Sequence, residues 1–246
     1  RSTDYVDIYQ FHNPAVCPKP GDGSGLYEAM LEAKEQGKIR FIGITNHRMS
    51  IAEEAIESGL YDTLQFPFNY LSTEREIALA KACAEHEMGF IAMKGLSGGL
   101  LTNSAAIYAY MAQFENVLPI WGVQKESELD EFLSYIGNPP ELTDELKAVI
   151  EKDQKELAGE FCRGCGYCMP CPAGIEINNC ARMSLLLRRS PSAGHLSPEG
   201  QAKMKKIEDC LHCGHCKSMC PYGLDTPKLL EENYKDYKAV LAGKSL

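Results

Sequence analysis

The sequence has no apolar run approaching the roughly 20 residues that cross a bilayer, so a helical membrane span is excluded from it. No charged n-region followed by an apolar h-region opens it. It has no basic excess either: 25 Lys and Arg stand against 34 Asp and Glu, for a net charge of −9. Nucleic-acid binding usually leaves a basic footprint, and none is present. The remaining composition, 44% apolar and 24% charged, is that of a soluble globular protein with one large or two modest domains. The 11 cysteines are not scattered as in a small secreted disulfide framework. They are clustered, which favours metal and a reducing cytoplasm.

Eight of the 11 fall in two runs. Cys162, Cys165, Cys168 and Cys171 form the first, ending in Cys171-Pro172. Cys210, Cys213, Cys216 and Cys220 form the second, ending in Cys220-Pro221. Three cysteines at two-residue gaps followed by Cys-Pro is the spacing of bacterial ferredoxin-type [4Fe–4S] sites. Zinc is the rival, but structural zinc sites use four ligands in paired Cys-x-x-Cys knuckles. In two-cluster ferredoxins the fourth cysteine of each run ligates the other cluster. The expectation is therefore a crossed set: Cys162, Cys165, Cys168 and Cys220 around one cluster, and Cys210, Cys213, Cys216 and Cys171 around the other. Between the runs lie 38 residues, Pro172 to Asp209, with helical patterns over 177–189 and 198–207. A last helix is expected over 227–240. This suggests a mainly α-helical ferredoxin-like domain. Arg182, Arg188 and Arg189 form a local basic stretch, with a solvated face as its default reading. Cys17, Cys83 and Cys180 read as buried or idle thiols, and His212 and His215 as neighbours of ligands.

The preceding part alternates strand and helix. Strands are expected over 1–12, 38–46, 63–69, 89–96 and 117–123. Helices are expected over 26–36, 50–58 (capped by Ser50), 73–87, 104–114 and 127–136. The inner stripe of the third helix is Ile77, Ala80, Cys83 and Ala84. Such alternation means right-handed βαβ units and a parallel sheet. Five units are too few to close an eight-stranded barrel. Asn138-Pro139-Pro140 breaks the pattern, and a polar helix over 144–157 follows. The boundaries are thus 1–137, a helical linker over 138–160, and the cysteine domain over 161–246.

Several phrases carry a resemblance. Asp4-Tyr5-Val6-Asp7-Ile8-Tyr9 followed by His12, Gly37-Lys38-Ile39-Arg40-Phe41-Ile42-Gly43-Ile44-Thr45-Asn46, Gln65 at a strand end, and Met93-Lys94-Gly95-Leu96 followed by Gly98-Gly99-Leu100 resemble the second half of an aldo/keto reductase. The cysteine domain resembles the C-terminal iron–sulfur domain of one branch of that family. The resemblance implies a partial (β/α)8 TIM barrel lacking its first three β/α units, and an NAD(P)H-dependent oxidoreductase interconverting a carbonyl and an alcohol on a small-molecule substrate. It implies His12 as the residue that orients the carbonyl, and Thr45, Asn46 and Gln65 as nicotinamide contacts, against the alternative that the last three cap the following helices. The family's catalytic Asp, Tyr and Lys would lie before Arg1, so the fragment alone is expected to be inactive.

Met93 stands where many members have a stacking tyrosine, and Glu128 where NADP-specific members place an arginine. NADH versus NADPH is therefore open. The clusters are expected to relay electrons from a ferredoxin or flavoprotein partner, or to be structural. The rival reading is a non-catalytic electron-transfer or redox-sensing protein that uses the barrel as a docking scaffold.

Overall fold

The computed structural model describes residues 3–157 and 159–246. Five parallel strands form one sheet: β1 (Val6–His12), β2 (Ile39–Thr45), β3 (Thr63–Pro67), β4 (Gly89–Met93) and β5 (Val117–Pro119), hydrogen-bonded in sequence order. Helices α1 (Leu26–Glu35), α2 (Met49–Ser58), α3 (Glu74–Glu85) and α4 (Ser104–Met111) make the crossovers, and α5 (Glu126–Ser134) follows β5. The first strand, expected from Arg1, begins at Val6; Arg1 and Ser2 lie outside the described residues. The later strands are shorter than expected because their ends turn. Lys94 takes a left-handed φ of 60° directly after β4, and β5 ends at Pro119.

Side chains alternate across a strand. On one face Ile42, Ile44, Leu64, Phe66, Phe90 and Ala92 are buried, and α1, α2 and α3 pack on β2, β3 and β4. Burial of side chains of this size contributes about 1.5–3 kcal/mol each for the larger ones. The other face stays partly open: Ile8 is 40% exposed, Phe41 47% and Leu118 63%. Ile8 and Phe41 are register partners. This is the face that would line a barrel.

Two local expectations change. Ser50 does not cap α2; it lies inside the helix, whose N-cap position is Arg48 with no side-chain cap, and the Asn46 carboxamide oxygen takes the amides of His47 and Arg48 in the turn before it. In α3 the buried residues are Leu79, Ala80 and Cys83, while Ile77 is half-buried and Ala84 exposed. Thr73 begins α3 with a capping box to Glu76.

The chain divides into two compact units. The first comprises residues up to Gly95 together with Ala105–Lys147; the second comprises Leu96–Ser104 with Ala148–Leu246. The boundary at Lys147 falls within helix α6 (Asp144–Glu156). The second unit continues with α7 (Ile177–Cys180), α8 (Met183–Arg189), α9 (Ala193–Leu196), α10 (Pro198–Lys205), a 3-10 turn (Lys206–Asp209), α11 (His215–Ser218) and α12 (Thr226–Leu241). Helices α7, α8, α10 and α11 all pack on α12.

The single helix expected over 177–189 is broken in two. Asn233 of α12 explains the break: it donates to the carbonyl of Ala181 and accepts from the amide of Ser184. The arginines of this stretch are also not a solvated basic face. Arg188 pairs with Asp236, Arg189 with Asp153 and Glu156, and Arg182 is buried.

Candidate functional site

The two cysteine runs bend back on themselves through left-handed positions. Gly164 (φ 66°) and Gly166 (φ 83°) separate the cysteines of the first run; His212 (φ 49°) and Gly214 (φ 71°) separate those of the second. Only glycine adopts this backbone freely. Gly214 begins α11, which carries Cys216. The amide of Gly164 donates to Cys162 Sγ at 3.4 Å.

The turns divide the eight thiols between two cavities. Cys162, Cys165, Cys168 and Cys220 line one, closed off by Leu224 and Thr226. Cys171, Cys210, Cys213 and Cys216 line the other, against Ile175 and Leu230. Each cavity therefore takes three cysteines from one run and the terminal cysteine of the opposite run. Charge on Cys220 bears on Cys162 and charge on Cys171 on Cys216, within each cavity, and charge on Cys216 also bears on Cys168 of the first. Burial pushes the thiols of Cys162 and Cys216 up, and that of Cys168 up to about 12. Thiolates, not thiols, ligate metal, so iron would displace protons here.

Among the described residues no three Cys, His, Asp or Glu side chains close on a single-ion site. The donor set fits a multi-atom cluster with thiolate ligands: four sulfurs around a cavity, twice. His212 and His215 are exposed on the rim of the second cavity. Cys180 lines neither; it is buried beside the carbonyl of Lys203, and burial lifts its thiol to about 12.

In the first unit the open face of the sheet collects the expected cofactor residues at one end. His12 is the register partner of Thr45, and Thr45 of Gln65. Both Thr45 and Gln65 turn toward the Met93 sulfur, at 4.0 and 3.6 Å. His12 is exposed. Asn46 is differently employed: its amide nitrogen donates to the carbonyl of Pro14 while its oxygen accepts from the amides of His47 and Arg48, in the turn before α2. Glu128, in the candidate 2′-phosphate segment, accepts from the amides of Gln124 and Lys125 at the start of α5.

Two contributors, His47 and Gln10, were not singled out from sequence, and a third, Arg182, was read there only as part of a basic stretch. His47 is buried, and its imidazole pKa is lowered to about 4 by burial first, then by the charges of Lys94 and His12. Gln10 donates to Gln65 at 3.1 Å, while its own carbonyl oxygen, like Asn13 Oδ1, is buried without a partner among the described residues. Arg182 lies behind Cys162. The sequence signal for His47 was its place directly after Thr45-Asn46. Nothing local marked Gln10.

Residues 2–117 match the aldo/keto reductase family and residues 161–225 the 4Fe-4S dicluster domain. A methylglyoxal reductase, DkgB, of Salmonella typhimurium is 33% identical over 114 residues, covering 42% of this chain and 41% of that protein. A probable glycolate oxidase iron-sulfur subunit of Bacillus subtilis is 29% identical over 98 residues, 33% of this chain and 22% of that one. The chain thus spans less than half the length of these relatives. Among solved structures, the apo form of aldo-keto reductase AKR11C1 from Bacillus halodurans superposes with a TM-score of 0.51 at 20% identity, covering 64% of this chain and 65% of that one. The likeness extends to the fold, a parallel (β/α) barrel of which the five strands are a part. Residues 2–117 are thus an aldo/keto reductase domain, and residues 161–225 a 4Fe–4S dicluster domain.

Proposed function

We propose that the chain is part of an NAD(P)H-dependent oxidoreductase that interconverts a small carbonyl compound and its alcohol, and that it holds two [4Fe–4S] clusters in crossed cysteine quartets. The observation that carries the cluster assignment is the lining of each cavity by three cysteines of one run and the last of the other. When bound, the clusters supply one-electron storage and the nicotinamide supplies hydride.

The protein's own groups divide the remaining work. His12, exposed at the end of β1, donates an N–H to the substrate carbonyl oxygen and orients it. Thr45 and Gln65 offer a hydroxyl and an amide to the nicotinamide carboxamide, and the Met93 thioether between them packs on its ring. The orphaned oxygen of Asn13 is a further acceptor for a ligand N–H at the same sheet end. Asn46 acts from behind by fixing the turn that carries Thr45 and His47. His47, neutral near pH 7, adds no charge beside His12 and Lys94. Glu128 disfavours a 2′-phosphate, which leans the reading toward NADH. A reducing cytoplasm keeps the thiols available, and a ferredoxin or flavoprotein is the fitting electron partner.

The test is iron and sulfide analysis, with EPR, on anaerobically reconstituted protein. Cys171→Ala is expected to lose the cluster of the second run, and Cys220→Ala that of the first. Loss of the same-run cluster in each variant refutes the crossing. Full retention of both refutes the assignment.

A further inference from the structure

Three arginines lie close together in sequence, and two have carboxylate partners: Arg188 with Asp236, and Arg189 with Asp153 and Glu156. Arg182 is the most buried, 9% exposed, yet among the described residues no carboxylate stands within ion-pair reach of it. Its Nε donates to the carbonyl of Asn178 and its Nη1 to the carbonyl of Gly98, both at 3.1 Å. Two carbonyls satisfy part of its hydrogen-bonding capacity and none of its charge. A buried charge without a counter-ion is costly and is rarely kept.

The guanidinium is wedged between two glycines. A Cβ on Gly164 would come within 2.8 Å of Arg182 Cζ, and one on Gly98 within 2.5 Å of Nη1. Both glycines have left-handed φ, 66° and 67°. Gly164 is the residue between Cys162 and Cys165 whose amide donates to Cys162 Sγ. The flat cation therefore lies directly behind the loop that lines the first cavity. The second cavity has only exposed residues of potential positive charge on its rim, His212 and His215.

We infer that Arg182 is the buried counter-ion of the first cluster and sets its reduction potential above the value the thiolates alone would give. The inference rests on the cluster ligation proposed above. Reduction transfers one electron from a low-potential one-electron donor, dithionite in the test, to the cluster; no protein bond forms or breaks, and one negative charge is added. A fixed cation a few ångströms behind the ligand loop, in a medium of effective dielectric near 20, stabilises the added charge. Arg182 is a positioning residue here and does not touch the iron. The same side chain holds the 96–104 segment through Gly98, and Arg189 holds it through Leu100.

The experiment is an EPR-monitored redox titration of the reconstituted full chain, in a Cys213→Ala background so that only the first cluster signals. Arg182→Gln is expected to lower the ratio of reduced to oxidised cluster at a fixed potential about tenfold, a shift of about 59 mV for a one-electron couple. Arg182→Lys, which keeps the charge, is expected to restore most of it. Unchanged potentials in Arg182→Gln overturn the inference, as does a Lys variant that shifts as far as the Gln variant. If Arg182→Gln cannot hold iron, Gly164→Ala decides: its Cβ displaces the guanidinium, so a smaller shift in the same direction supports the inference and an unmoved potential overturns it. Absence of any iron–sulfur signal in the unmutated chain is a different failure, that of the ligation itself.

Discussion

His47 links the first unit to pH. Its imidazole is buried directly after Thr45-Asn46, with its pKa lowered from 6.5 to about 4 by burial and by the charges of Lys94 and His12. The unfolded chain returns it to its ordinary value near 6.5. Below that value the unfolded state binds a proton that the folded state refuses. Stability is therefore fully present above about pH 6.5 and is lost as pH falls toward and through about 4. At about 1.36 kcal/mol for each pH unit of depression, the loss comes to roughly 3 kcal/mol, an appreciable part of the stability of a typical domain.

Two measurements read this. The His47 ring protons, followed by NMR, should titrate near 4. Urea unfolding of the first unit's transition should show stability declining between pH 6.5 and 4 in the unmutated chain, with most of the slope absent from His47→Gln. A slope that survives in the variant, or a ring proton that titrates near 6.5, refutes the reasoning.

Two further outcomes are expected. Asp236 accepts from Arg188 and Lys244, and these bonds hold its carboxyl well below the usual carboxylate range; Asp236→Asn should cost about 2 kcal/mol at pH 7, as charged hydrogen bonds do, and progressively less below about pH 4, where the unfolded carboxylate is protonated, as urea titrations at pH 7 and pH 3 would register. Gly43→Ala places a Cβ 2.3 Å from Thr63 Oγ1 and 2.8 Å from Gln10 Cγ on the open face; it should destabilise by about 1–3 kcal/mol, and Thr63→Ala in the same chain should recover part of that in thermal denaturation.

The parts of this molecule legible in sequence are those set by short-range patterns. The strand–helix alternation reads directly because parallel strands need crossovers, and β2 carries the apolar Ile39, Phe41, Ile42 and Ile44 with Arg40 its one charge. The cysteine spacing yields the two quartets, because the chemistry of the ligands dictates it. What could not be read depends on distant partners. The break between α7 and α8 is made by Asn233, 52 residues beyond Ala181. The fate of the three arginines depends on Asp153, Asp236 and the carbonyl of Gly98, none of them nearby in sequence. Asn46 read as a cofactor contact with helix capping as the alternative, and its contacts with Pro14, His47 and Arg48 show it employed in the turn before α2. The ends of β3 and β4 were misjudged because a strand stops where the backbone leaves the ladder, and left-handed Lys94 carries no strong residue signal.

The interleaving of the two units has a practical consequence for anyone who would take the protein apart. Leu96–Ser104 is threaded out of the first unit's sequence and counted with the second, tied there by the arginine bonds to Gly98 and Leu100. No single cut of the polypeptide yields both units whole. A subclone beginning at Ala148 surrenders the nine-residue segment that two of its arginines hold, while one ending at Lys147 keeps that segment without those two arginines. Separate expression of the iron–sulfur part therefore calls for a circularly permuted gene, or for supplying 96–104 as a peptide in trans, before any of its properties can be credited to the isolated domain.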